Sequence, residues 1–486
     1  MSVRFKVQDI PADEQLKIDN FLTFDPIVPA SRKYNYSQSF RPATSIDETR
    51  VKMYFTKEKI LHMPFWFAAK YYKQTFNQTK KYDKIFEGQA RETKFSGRLR
   101  KNQVDPFKKS LEYINEYKTV TIALYPGFGK TFMGVMLSWY LNLKVCVLVH
   151  RDNIGKAWLT TFKTCFTEKM KTPSLGGKEG KEIDVSSLPN GNEDITWVDE
   201  KGNYNPDAKI FVVMDGRVKK LSDKVKRSIG TLIIDEAHLF CTKSRVEPML
   251  SFSPKYVIAE TATPRKENGM HRMIQAICGP HYIEKISDKP YDFYLIQTGL
   301  DYEINDSKNI FNDLVTHQSF NEERNKLIID LLTNNRGYKT IIITKLKDHC
   351  KKLKELIEKE GLESSELFGS KKNYVAKNIL IGTGSKMGVG FDEANFCDNF
   401  DGRPSDLIIM TYTFASWAPF EQVRGRGMRS DHPSVIMFND NHAITKKHFR
   451  QIKKWVKETN GTLHEIKLKD IENYELENLK TKKGKK

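Results

Sequence analysis

The sequence predicts an α/β protein of two tandem parallel-sheet domains preceded by a small N-terminal accessory domain, and three observations carry that prediction. Short β-branched apolar runs alternate with amphipathic stretches through most of the chain, the pattern of strands buried on both faces and joined by crossover helices. The runs fall into two series, one before and one after about residue 285. The 486 residues suffice for two or three domains at roughly 100–200 residues each.

Residues 1–94 are aromatic and proline-spotted, with an apolar segment VKMYFTKEKILHMPFWFAAKYY at 51–72. It reads as a packed accessory domain with a buried aromatic face. Within 95–285, TVTIAL (119–124), KVCVLVH (144–150), KIFVVMD (209–215), GTLIIDEA (230–237) and KYVIAET (255–261) read as buried strands. Residues 171–205, rich in Gly, charge and small polar side chains, read as an inserted surface loop. HYIEKISDKPYDFYLIQTGLDYEIN, from 281 to 305, has no Gly/Ser tract and reads as a short hinge. Within 286–465 the strands are KTIIIT (339–344), KNILIGT (377–383), SDLIIMTY (405–412) and PSVIMF (433–438), with HCKKLKELIEKE (349–360) helical. Residues 466–486 read as a basic C-terminal tail, and its end, LKTKKGKK (479–486), as disordered.

Lys and Arg number 80 against 61 Asp and Glu, a net charge of +19, which favours a polyanionic partner such as nucleic acid. No stretch approaches the roughly 20 apolar residues of a membrane span. The first residues, MSVRFKVQDIPADEQ, lack a secretory core, and the six Cys form no CxxC pair. The expected setting is intracellular and reducing.

TVTIAL is followed by YPGFGKT. A phosphate chain needs converging backbone N–H groups that side chains would obstruct, so Gly127, Phe128 and Gly129 form the expected loop. Lys130 would neutralise β- and γ-phosphate charge, and Thr131 would offer its hydroxyl to Mg²⁺. Leu124 stands where a strict phosphate-loop pattern has glycine. A second acidic element is expected at the end of a neighbouring strand, and TLIIDEAH supplies it. Asp235 would hold Mg²⁺ and Glu236 would orient the attacking water. His238 has no partner ligand at zinc spacing and reads as a coupling residue.

In this order the motifs resemble superfamily-2 helicases and translocases with DEAH lettering. GRLRKNQ (97–103) resembles the Q motif, so Gln103 is expected to read the adenine edge of ATP. VLVHRDNIGKAW (147–158) resembles motif Ia, and ETATPRK (260–266) resembles motif III, with Thr261 and Thr263 as coupling residues. IGTGSKMGVGFDEA (381–394) resembles motif V, placing Asp392 against ribose or the nucleic-acid strand. FEQVRGRGMRS (420–430) resembles motif VI as Gln422, Gly425, Arg426 and Arg429. Spaced three apart, Arg426 and Arg429 would share a helix face and reach one cleft.

The resemblance implies two RecA-like domains, ATP and Mg²⁺ as cofactors, and a nucleic-acid track. Within the superfamily the chain is most similar to the transcript-release DNA helicases of poxviruses and other large DNA viruses, in the xeroderma-pigmentosum group B branch. That implies DNA before RNA, 3′ to 5′ movement, RNA polymerase or transcription machinery as partner, and a host-cytoplasm or virion setting. An RNA helicase, and an ATP-gated clamp without unwinding, would carry the same motifs.

Overall fold

The computed structural model describes residues 2–25, 50–72, 81–86, 95, 97–167, 170–171, 182–183, 191–262, 271–304, 309–388, 390–391, 393–471 and 473–480. Asp392 and Thr263 lie outside the described residues. The chain forms two compact units, one of Met1–Leu124 with Phe128–Lys285 and one of Tyr125–Gly127 with Ile286–Lys486.

In the first unit, β1 (Ser2–Lys6), β2 (Phe55–Lys57) and β3 (Ile60–Pro64) make an antiparallel sheet in the order β1-β3-β2. Two helices, α1 (Ala12–Leu22) and α2 (Phe65–Tyr72), accompany it. The aromatic segment is buried as its composition suggested. Met63, Phe65 and Phe67 share one apolar core with Phe211, Leu232 and Ile277 of the larger sheet region. Trp66 packs edge-on against Tyr117 at 5.5 Å and His281 at 5.0 Å. So small a segment buries little surface by itself, and it gains a core by joining its neighbour's.

The helix α3 (Lys101–Tyr117) leads into a seven-stranded parallel sheet. Its strands, with the helices used below, are in chain order β4 (Thr119–Leu124), α4 (Lys130–Leu141), β5 (Val145–Val149), α5 (Asp152–Thr167), β6 (Ile195–Trp197), β7 (Ile210–Met214), β8 (Thr231–Ile234), β9 (Tyr256–Thr261), α6 (Arg272–Cys278) and β10 (Tyr282–Lys285). The spatial order is β6-β7-β5-β8-β9-β4-β10. β4, β5 and β8 are buried at every residue, which is why they read as unbroken apolar runs. β9 lies between β8 and β4, pairing Ala259 with Ile234 and Glu260 with Ile122. The loops after these three strands therefore open on one carboxyl edge, where open α/β sheets bind ligands.

The second unit repeats the plan. β11 (Tyr291–Gln297), β12 (Thr340–Thr344), β13 (Ser364–Leu367), β14 (Ile379–Thr383), β15 (Leu407–Met410), α7 (Trp417–Gly427), β16 (Ser434–Asn439), α8 (Ala443–Glu458) and β17 (Gly461–Lys467) follow in sequence. The strands make a parallel sheet in the order β13-β14-β12-β15-β16-β11-β17. Alternate residues feed opposite faces: Phe293, Leu295, Ile341 and Ile343 enter one core, Tyr294, Ile296 and Ile342 the other.

Three expectations change. The segment read as an inserted loop contributes the edge strand β6, pairing Ile195 with Ile210. The segment read as a hinge carries β10 and β11, leaving 286–290 between them. The segment read as a basic tail continues β17 to Lys467 and buries Leu476 and Leu479 in the second unit's core, while 481–486 lie outside the described residues. There Asn335 donates to the Tyr474 carbonyl at 2.7 Å and accepts from Leu476 N–H at 3.0 Å. Short or weakly alternating strands such as β6, β10 and β17 carry too little periodicity to stand out in a sequence. Among the described residues no helix is long and apolar enough to cross a membrane.

Candidate nucleotide site

The loop from β4 to α4 turns on Gly127 and Gly129, with φ of 83° and 94°, a region that L side chains avoid. At Gly129 a Cβ would lie 2.5 Å from Gln103 Nε2. Gln103 is buried and clips the loop: its amide donates to the Phe128 carbonyl at 2.7 Å, and its oxygen accepts from Arg100 N–H at 2.8 Å. The Arg100 guanidinium donates to the same Phe128 carbonyl. Lys130 opens α4 and donates to the Leu124 carbonyl at 2.9 Å. Thr131 follows it, half-buried.

Asp235 stands one residue beyond β8 and is buried. It accepts from Trp158 Nε1 at 2.7 Å and from Glu236 N–H at 2.8 Å. Burial, and then the neighbouring Glu236 charge, push its carboxyl up to about 6. Glu236 adopts left-handed backbone, φ 48° and ψ 50°, uncommon for a residue with a side chain. Its Oε2 lies 3.3 Å from His238 Nδ1, and that nitrogen lies 2.8 Å from Thr261 Oγ1. His238 and Thr261 are both buried.

Sequence reading did not single out two residues of this cluster. Trp158 fixes Asp235, and nothing local marks it as a donor. Glu260 is fully buried in β9, its oxygens without a hydrogen-bond partner among the described residues. Burial raises its carboxyl well above the ordinary range, and the Asp235 charge adds to this. The signal was an acid inside the apolar run KYVIAET.

In the second unit Gln422 is buried within α7. The expectation that Arg426 and Arg429 share a helix face is not met, because α7 ends at Gly427. Arg426 is buried and donates to the carbonyls of Met387, Gly388 and Phe391, so it braces the loop after β14. Arg429 lies past the helix end and is exposed. The third arginine of the motif, Arg424, is fully buried and forms a two-pronged pair with Glu421 at 2.7 and 2.8 Å.

A glycine-built phosphate loop, a lysine at a helix N-terminus and an adjacent acid pair on one sheet edge define a P-loop nucleoside triphosphatase built on tandem parallel-sheet domains. Residues 96–266 match the family described as Type III restriction enzyme, res subunit. The chain is 28% identical over 406 residues to "Putative helicase 161L" of Invertebrate iridescent virus 6, covering 77% of this chain and 84% of that protein. It is 26% identical over 374 residues to "Putative helicase 055L" of Frog virus 3 (isolate Goorha), covering 74% and 78%. In fold it is similar to a fragment of a "putative HsdR subunit of a type I restriction enzyme" from Vibrio vulnificus YJ016, with a TM-score of 0.52 at 14% identity, covering 78% of this chain and 70% of that one. Fold, site and relatives together make the chain an ATP-hydrolysing helicase.

Proposed function

We propose that the chain is an ATP-driven motor on nucleic acid, with DNA as its track. What carries this reading is the meeting of the Gly127–Gly129 loop, Lys130 and the Asp235–Glu236 pair at one sheet edge, joined through His238 to Thr261. In it, Gly127, Phe128, Gly129 and Lys130 hold the phosphates, and Gln103 holds the loop and meets the adenine edge. Glu236 orients the attacking water. Trp158 keeps Asp235 in one orientation, and Lys130 balances the acid pair. Arg429 supplies the transition-state charge, while Arg426 and Gln422 position the loop that carries Asp392. His238, Thr261 and Thr263 pass the nucleotide state to the track.

The Thr131 hydroxyl and Asp235 carboxylate are hard oxygen donors, the kind Mg²⁺ takes in small number beside phosphate and water. Among the described residues no cluster of three or more His, Cys, Asp or Glu side chains could hold a metal by itself, which suits an ion that arrives with the nucleotide. Bound there, Mg²⁺ supplies neutralisation of charge on the β- and γ-phosphate oxygens.

The DNA track, 3′ to 5′ direction and a role in transcript release beside RNA polymerase rest on the resemblance to transcript-release DNA helicases that the DEAH and TATP lettering carries. ATPase activity measured with and without single-stranded DNA or RNA, at stated salt, tests the motor: stimulation is expected, larger with DNA. No stimulation by either would falsify it. Strand displacement on tailed duplexes separates a helicase from a clamp. Glu236→Gln should abolish turnover, and normal hydrolysis by that variant removes Glu236 from its role.

A further inference from the structure

The faces of α8 differ sharply. Thr445, Phe449, Ile452, Trp455 and Val456 are buried. Lys446, Lys447, Arg450, Lys454 and Lys457 are exposed, and Lys453 is half-exposed. At about 100° per residue, these six cations fall in an arc of about 120° opposite the buried side. From Lys446 to Lys457 the ridge runs about 16 Å, close to the rise of five phosphates along one strand of B-DNA.

Ordinary solvated helices look different, and this protein contains one. The helix Lys347–Lys359 mixes its lysines with Asp348, Glu355 and Glu358 and pairs Lys351 with Asp348 at 3.1 Å and Lys354 with Glu358 at 3.7 Å. In α8 the sole acid is Glu458, at the last position. Lys446 is held by Asn441 and Lys453 by Glu465 at 2.5 Å. Lys447, Arg450, Lys454 and Lys457 make no ion pair among the described residues. Like charges three and four apart on a helix repel one another. The helix dipole offsets this only in the last turn, leaving Lys446 and Lys447 uncompensated.

We propose that this ridge is a contact surface for the sugar-phosphate backbone of nucleic acid, additional to the motor motifs and indifferent to base sequence. The proposal rests on reading the chain as a nucleic-acid motor. Phosphates relieve the repulsion that the ridge carries alone, and the binding gains from counterion release. The ridge also has a mechanical connection. Trp455, on the inner face of α8, packs against Trp417 at 5.8 Å and Phe420 at 5.4 Å, both on the helix that carries Gln422 and Arg426. Backbone held on α8 is thus one packing layer from motif VI.

The test uses the full chain and the combined variant Lys447→Gln, Arg450→Gln, Lys454→Gln, with the corresponding Glu variant as a second form, each checked for fold by circular dichroism. Binding to a labelled single strand and a labelled tailed duplex is measured across about 50–200 mM salt. The Gln variant should bind about ten- to a hundredfold more weakly at low salt, and its log–log salt slope should flatten by about 2 on the single strand and nearly 3 on the duplex. The Glu variant should lose more. Folded variants with wild-type affinity and slope overturn the ridge while leaving the motor standing; a wild-type chain that binds neither probe removes the motor reading and the ridge with it. Loss of binding to phosphatidylserine vesicles, with nucleic-acid affinity kept, assigns the ridge to a membrane surface and also overturns the proposal.

Discussion

His238 Nδ1 lies 2.8 Å from Thr261 Oγ1, joining the turn after β8 to the end of β9. The same nitrogen is 3.3 Å from Glu236, so a shift of that acid reaches the neighbouring strand through one imidazole. Thr261→Val keeps the shape and removes the hydroxyl. It should lower unwinding more than hydrolysis, with strand separation per ATP falling roughly tenfold, the equivalent of ~1.4 kcal/mol. Parallel ATPase and strand-displacement rates measure this; equal losses in both would place the contact in chemistry and not in coupling.

Asp235 gives a pH signature. Its carboxyl is pushed up to about 6, from an ordinary value near 4. The folded, nucleotide-free chain therefore binds this proton more tightly than the unfolded chain does. Its contribution to stability is full below the unfolded value and is lost as pH rises through about 6. Asp235→Asn keeps the size and lets Trp158 donate to an amide oxygen. The melting temperature of the variant relative to wild type should rise between pH 4 and pH 7.5, and a difference that does not change with pH contradicts the assignment.

Glu260 makes a related prediction. Burial, and then the Asp235 charge, raise its carboxyl well above the ordinary range, so Glu260→Gln keeps the shape of the protonated form without its titration. The sign is again that of a raised carboxyl: stability is lost on deprotonation as pH rises. Melting curves taken across rising pH should show the wild type falling away from the variant, and a difference that stays constant contradicts the assignment.

The Gln103 clip should matter to both stability and nucleotide binding. Gln103→Ala removes one of the two donors to the Phe128 carbonyl and the acceptor of the Arg100 N–H, at a cost of about 0.5–1.5 kcal/mol per bond. Gly129→Ala demands a side chain at φ 94° and 2.5 Å from Gln103 Nε2. Both should weaken nucleotide binding in a calorimetric titration, with Gly129→Ala the more severe because its strain cannot relax by rotating a side chain.

The motif VI arginines should separate by assay. Arg424→Ala leaves the Glu421 carboxylate buried and unpaired, which costs about 3–5 kcal/mol and should lower the melting temperature by roughly 10 °C. Arg429→Ala alters an exposed side chain. It should leave melting nearly unchanged and cut kcat by about a thousandfold if Arg429 supplies the transition-state charge. Melting and turnover measured on both variants decide it.

The sequence by itself determined the two parallel-sheet domains, because strands such as VCVLV and TLII are buried on both faces and spell that burial locally. It also located the phosphate loop and the acid pair, where one turn and one strand end bring neighbouring residues to one task. Tertiary structure decided what depends on distant partners. It turned Arg426 inward to three carbonyls, gave Asp235 an indole donor from Trp158 and set His238 beside Thr261. It also made strands of Tyr282–Lys285 and Tyr291–Gln297, which lack strong alternation and are completed by neighbours far along the chain. Periodicity is a local property of a chain, whereas the partner of a buried polar group is chosen by the fold around it.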